Sequence, residues 1–299
     1  MKNNEIVKRA AGLASVVLDS LLPNRTENSL GILVYHRIAE RIEGIAKPQM
    51  NVPPDCFHRQ LSGLRQRGFQ FCSLQQVLTC REANDVLPAK AVVVTFDDGF
   101  ENVYRNAWPV LRELEIPATV FVNTAFLDSQ APFPFDPWAR EFEDRLPAQW
   151  YRPLSRRQCR EMLAGGLMDV GAHTHTHRDF RGKPAELRKD LLCCIEVLRS
   201  EFGIQEPSFA FPFGRVAWGF AGGVLSEAAR QTGVTCALTT ECELNDLRRD
   251  PFCWGRFNAY DWDTDRTLAA KLDGWYGWAP RLQDRLSGWG RTSPTRLRR

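Results

Sequence analysis

Short apolar runs alternate with amphipathic stretches along most of the chain. Residues 31–36 (Gly-Ile-Leu-Val-Tyr-His) are apolar up to a polar end, which predicts a buried strand. Residues 91–96 (Ala-Val-Val-Val-Thr-Phe) form the clearest strand, with β-branched side chains on both faces, as in a parallel sheet covered on both sides. Further strands are predicted over 118–122, 167–172, 208–213 and 234–239. Helical spacing fills the intervals. Phe57, Leu61 and Leu64 recur by four and three within a helix over 55–68 that Gly68 ends, and Ser73 caps a short helix over 74–78. Helices also follow over 102–114, 155–164, 183–202 and 223–232. This β-α alternation persists from residue 31 to about 240, so the fold class is α/β, barrel-like or doubly wound.

Two segments depart from the rhythm. Residues 128–151 are rich in Pro, Phe and Trp and read as a rim insertion able to form a substrate wall. At the N-terminus, Ile6, Ala10, Leu13, Val17 and Leu21 recur at helical spacing. They predict an amphipathic helix that packs on the domain or lies on a membrane surface. No stretch approaches the roughly 18 apolar residues that a membrane span needs. Asp19 interrupts the apolar run, which argues against a signal peptide.

Composition narrows the class. With 299 residues and 43% hydrophobic residues the chain can bury a large core. A net charge of +3 does not point to nucleic acid, and the basic tail 291–299 reads as a solvated terminus. Nine cysteines without a Cys-x-x-Cys pair fit neither a zinc knuckle nor a disulfide framework. They read as mostly buried, reduced thiols in a cytoplasmic protein.

Two motifs carry chemistry. Thr95-Phe96-Asp97-Asp98-Gly99 puts adjacent carboxylates at the C-terminal end of a buried strand, where parallel α/β folds bind ligands. Neighbouring residues point differently, so one can bind a cation while the other holds or moves a proton. Asp-Asp-Gly is also ordinary turn chemistry. The second motif is Gly171-Ala172-His173-Thr174-His175-Thr176-His177, which holds three of the five histidines. One helical turn would present His173 and His177 on one face, and with Asp98 they make a two-histidine, one-carboxylate set for a divalent metal. An extended segment would add His175 instead; the helical turn is favoured.

These motifs, in this order, resemble the polysaccharide deacetylase family, also called the NodB-homology fold or carbohydrate esterase family 4, over about residues 32–260. The resemblance implies a distorted (β/α) barrel with an incomplete strand count. It implies Asp97 as general base and Asp98, His173 and His177 as ligands of a divalent metal, usually zinc. Phe209-Ala210-Phe211-Pro212-Phe213-Gly214 resembles the family's Arg-Pro-Pro-Tyr-Gly segment and implies that the Phe213 backbone N–H donates to the oxyanion. The family's Arg is replaced by Ala210. Arg215 and Arg256 are the substitutes, and Arg256 is preferred because a related branch carries a Leu-Pro-Arg segment there. The family's late Leu-x-His has no counterpart, since no histidine follows His177. The general acid is then assigned to His36, in a Tyr-His-Arg segment like that of a branch with rearranged motifs. His58 looks solvent-facing.

The activity so implied is metal-dependent removal of N-acetyl groups from a polysaccharide or sugar precursor, by hydrolysis of a C–N bond that is not a peptide. A small cyclic imide or amide hydrolase on the same scaffold, or a degenerate glycan-binding module, would share the fold. The partner expected is an N-acetylated glycan, with peripheral membrane contact through the first helix. Trp254, Trp262, Trp275, Trp278 and Trp289 could stack on sugar rings or pack the barrel. The expected organisation is an N-terminal helix over 1–28, a catalytic domain over 29–265 with the rim insertion at about 128–152, and a C-terminal extension over 266–299.

Overall fold

The computed structural model describes residues 2–21 and 29–276. Its centre is a curled sheet of seven parallel strands. β1 (Ser29–Tyr35), β2 (Ala91–Phe96), β3 (Ala118–Val122), β4 (Met168–Ala172), β5 (Phe209–Ala210) and β6 (Ala237–Leu238) lie side by side in chain order. β7 (Phe257–Asn258) pairs in parallel with the free side of β1. The sheet's two ends are linked because Leu238 bridges Trp254 and the Thr239 N–H donates to the Trp254 carbonyl at 2.7 Å. The result is the distorted, strand-poor barrel that the family resemblance implies. Gln70–Phe71 adds to the start of β2, and Asn245–Asp246 runs antiparallel beside the start of β1.

Every residue of β1 and β2 is buried, and the alternation of side chains divides them between two cores. Leu33, Tyr35, Val92, Val94 and Phe96 face outward against helices. Leu30, Ile32 and Val93 face the barrel interior with Phe121, Leu238 and Trp254, and the helix Leu74–Ala83 adds Leu74, Val77 and Leu78 to this inner core. β5 and β6 are shorter than the runs that predict them. Pro212 cannot donate to a ladder and stops β5 early.

The outer helices are α1 (Lys2–Leu21), α2 (Pro54–Gln66), α3 (Trp108–Glu113), α4 (Arg156–Ala164), α5 (Pro184–Phe202), α6 (Gly223–Arg230) and α7 (Asp265–Leu272). The helix predicted over 102–114 begins instead as a π turn, Val103–Ala107. Pro109 has no N–H to give the carbonyl one turn back, and the Trp108 N–H reaches Val103. α7 has a Thr264 capping box and buries Thr267 to Leu272 against α1 and α2, so the boundary expected at 265/266 falls inside a packed helix.

α1 docks by a face other than the predicted stripe. Ala11 and Ser15 are buried, Gly12 lies against Thr267, and Lys8 donates to the Tyr260 hydroxyl at 3.0 Å. Ala10, Leu13 and Val17 face outward. The small residues let the helix approach closely, and that closeness outweighs the larger side chains. Among the described residues no helix is long and apolar enough to cross a membrane. All nine cysteines are unpaired, but only Cys72, Cys159, Cys194 and Cys236 are buried, and Cys193 and Cys253 are exposed. The tail 291–299 lies outside the described residues.

Gly171 marks a tight point of the sheet. A Cβ there would sit 2.6 Å from the Phe121 ring and 2.9 Å from the Ser208 hydroxyl. Gly171→Ala is expected to destabilise the fold by about 1–3 kcal/mol through overpacking, measured by chemical denaturation. Unchanged stability would show that the ring can yield.

Candidate active site

The carboxyl ends of the strands meet on one mouth of the barrel. The strands lead into this mouth: His36 follows β1, Asp97 and Asp98 follow β2, His173 follows β4, and Phe213 lies three residues after β5. The chain turns sharply at these ends. Asp98 (φ 70°) and Gly99 (φ 76°) both take left-handed conformations. Only glycine suits the second position, since a Cβ would stand 3.0 Å from Val122.

Asp97 is buried, and Arg256 clamps it from inside the barrel. Arg256 donates from Nη1 to Oδ1 at 2.6 Å and from Nη2 to Oδ2 at 2.7 Å. The guanidinium is fully buried, and its Nε donates to the Thr239 carbonyl at 2.9 Å. Burial alone would raise the Asp97 carboxyl. The charge and hydrogen bonds of Arg256, helped by His173, more than offset this and hold it below the usual carboxylate range. Arg215 instead pairs with Glu241 at 3.1 Å.

Asp98, His173 and His177 form the one buried group of its kind among the described residues, with ligand atoms all within 4.8 Å of one another. Nε2 of His173 and of His177 stand 3.5 and 3.4 Å from the same Asp98 Oδ1. Two ligand atoms each about 2.0–2.1 Å from a tetrahedral zinc-sized ion would be roughly 3.4 Å apart, so the spacing fits a divalent cation. His173 Nδ1 lies 2.8 Å from the Ala210 carbonyl. That contact requires a proton on Nδ1 and leaves the Nε2 lone pair turned to the site. Burial would raise the Asp98 carboxyl too, but the two histidines beside it, when protonated, hold it well below its usual value.

The histidine segment is not the helical turn expected from the spacing. It is a bent loop in which Thr174 (φ 67°) and His177 (φ 52°) are left-handed. Asp190, reaching in from α5, organises the loop: it accepts the N–H groups of His175 and Thr176 at 2.6 and 3.1 Å and the Thr176 hydroxyl at 2.5 Å. His175 turns away to Thr124, 2.9 Å from its hydroxyl. The sequence offers no signal for Asp190, which sits in an ordinary amphipathic helix.

His36 is partly exposed at the mouth, with a buried Nδ1 that has no hydrogen-bond partner among the described residues. Burial lowers its imidazole from the usual value, while Asp98 and Asp97 oppose the shift. His58 is remote, 3.3 Å from Glu113 on the helical surface. Phe213 (φ 63°) is the centre of a γ-turn, with Gly214 N–H donating to Pro212 O at 2.7 Å, and its ring lies 5.0 Å from that of His177. This positive-φ turn is the rare, strained form.

The rim insertion folds over the centre. Phe135 stacks on His177 with ring centroids 3.8 Å apart, and Asp136 forms a buried ion pair with Arg37. Trp138 donates to the Ala46 carbonyl at 2.5 Å. Phe135 and Asp136 lie in the segment read as a wall, but nothing in the sequence singles out either of them or Arg37. Trp254 is buried in the barrel and Trp262 stacks on Tyr260 at 4.3 Å, while Trp278 and Trp289 lie outside the described residues.

Comparison with known proteins agrees with this geometry. The chain is similar to the poly-beta-1,6-N-acetyl-D-glucosamine N-deacetylase of Escherichia coli strain K12, with 22% identity over 245 residues. That match covers 73% of this chain and 34% of the relative, so this chain matches only about a third of that protein. The enzyme of the same name from Staphylococcus aureus strain MRSA252 is 25% identical over 207 residues, covering 63% of this chain and 66% of the relative. Among solved structures, IcaB from Ammonifex degensii shares 26% identity with a TM-score of 0.67, covering 83% of this chain and 98% of that one. The Streptococcus pyogenes deacetylase PplD in complex with acetate has the same fold, at 21% identity, TM-score 0.66 and coverage of 83% and 99%. A family model described as polysaccharide deacetylase matches residues 84–237, just over half of the chain. The chain belongs to the polysaccharide deacetylase family.

Proposed function

We propose that this protein is a zinc-dependent N-deacetylase acting on a polymer of β-1,6-linked N-acetylglucosamine. The observation that carries the reading is a buried Asp98–His173–His177 group beside Asp97, a carboxylate held charged by Arg256. The polymer is inferred from the relatives, whose names specify it. The exposed Phe213 ring, beside His177 at the mouth, suits a sugar face better than a small cyclic imide.

A divalent cation on Asp98, His173 and His177 would polarise the acetamide carbonyl and acidify a water. Asp97 takes a proton from the attacking water while Arg256 fixes its orientation. The Phe213 N–H donates to the oxygen that gains charge as water adds to the carbonyl carbon. The C–N bond then breaks, His36 delivers a proton to the departing nitrogen, and acetate and a free amine result. Burial favours neutral His36, whereas the two carboxylates favour the protonated form this step needs.

Acetate release from poly-β-1,6-N-acetylglucosamine after zinc reconstitution tests the assignment. Comparable release from chitin oligomers alone would overturn the choice of polymer. Asp97→Asn is expected to cut turnover by about 10²–10⁴-fold with metal still bound, and His177→Ala to lose the metal by elemental analysis. His36→Ala should slow amide hydrolysis about 10²-fold but spare an aryl acetate, whose leaving group needs no proton. Equal losses on both substrates would refute the acid role.

A further inference from the structure

The two histidines of the metal group are supported differently. His173 is held through its second ring nitrogen by the Ala210 carbonyl at 2.8 Å. The corresponding Nδ1 of His177 is buried and has no hydrogen-bond partner among the described residues. A ligating histidine normally has its other nitrogen anchored, because an imidazole free to rotate about its χ angles loses metal affinity to that freedom. No described residue fixes the His177 ring as the Ala210 carbonyl fixes that of His173.

The rim insertion supplies a flat surface for it. Phe135 lies nearly parallel to the imidazole, 3.8 Å between centroids at 20°. Phe133 stacks behind Phe135 at 4.9 Å and 27°. The next residue, Asp136, is buried in an ion pair with Arg37, whose guanidinium sits 4.0 Å above the Phe100 ring. Arg37 directly follows His36, so the strand end that carries the candidate acid also grips the insertion.

We propose that Phe135 is the positioning residue for His177, its stacked ring setting the imidazole's orientation where a hydrogen bond is lacking, and that the Arg37–Asp136 ion pair holds Phe135 in place. The inference rests on reading His177 as a metal ligand. Stacking blocks rotation of the imidazole out of its plane and excludes water from that face. It leaves the Nε2 edge, 3.4 Å from Asp98 Oδ1, free for a cation.

Two measurements separate this idea from the reading beneath it. In metal-free protein, wild type should give one sharp set of His177 ring NMR signals. Phe135→Ala should broaden or double them, and Phe135→Tyr should restore them. In titration with Co²⁺ or Zn²⁺ alone, Phe135→Ala should bind about 10–100-fold more weakly, with Phe135→Tyr close to wild type. The paired change Arg37→Met with Asp136→Asn, which leaves no buried charge unpaired, should weaken binding in the same direction. Sharp single signals and affinity within about twofold of wild type in Phe135→Ala would overturn the proposal. If His177→Ala bound metal as tightly as wild type, the ligand reading would fall, and the ring signals would still decide the role of Phe135.

Discussion

The Arg256–Asp97 pair is the constraint around which the site is organised. Both side chains are nearly inaccessible, so each charge is tolerable only because the other is there. The bidentate geometry does more than neutralise. It fixes the plane of the carboxylate and keeps it ionised, and an ionised, oriented carboxylate is what a base must be. The guanidinium lies on the polar side of the barrel's inner apolar layer, with Thr95 and the Thr239 carbonyl taking further donors. The barrel interior therefore ends in a layer of fixed charge, and the metal group sits beside it at the mouth.

Backbone strain gathers at the same mouth. Asp98, Thr174, His177 and Phe213 all have positive φ, and each belongs to a turn that lines the centre. Such conformations cost on the order of 1–3 kcal/mol each for non-glycine residues and persist where surroundings enforce them. The enforcement is visible: Asp190 ties down the histidine loop, and the Thr240 hydroxyl donates to the Phe213 carbonyl at 2.9 Å.

The parallel sheet and the carboxylate pair are legible in the sequence because an unbroken apolar run that gives way abruptly to charges marks a covered strand ending at a polar mouth. The pairing of His173 with His177 is legible for the wrong local reason, since a loop bent by two left-handed residues brings them together and no helix does. The docking face of α1 is not legible, because hydrophobicity marks large side chains while close packing selects Gly12 and Ala11. Arg37 and Asp136 are invisible as a pair, being 99 positions apart with nothing local to distinguish either from a surface charge. The stack of Phe135 on His177 belongs to the same class, a tertiary contact made by a segment without regular periodicity.

The segment 254–258 links the barrel's ends and also carries Arg256. It is last in the ring, and Arg256 lies 159 positions beyond Asp97. During synthesis the first six parallel strands can assemble before it leaves the ribosome, with Asp97 facing an interior that has no cation for it. Such an intermediate favours protonating that carboxyl or keeping the barrel open to water. Closing the ring thus brings in the cation that lets this carboxylate be buried and charged at once.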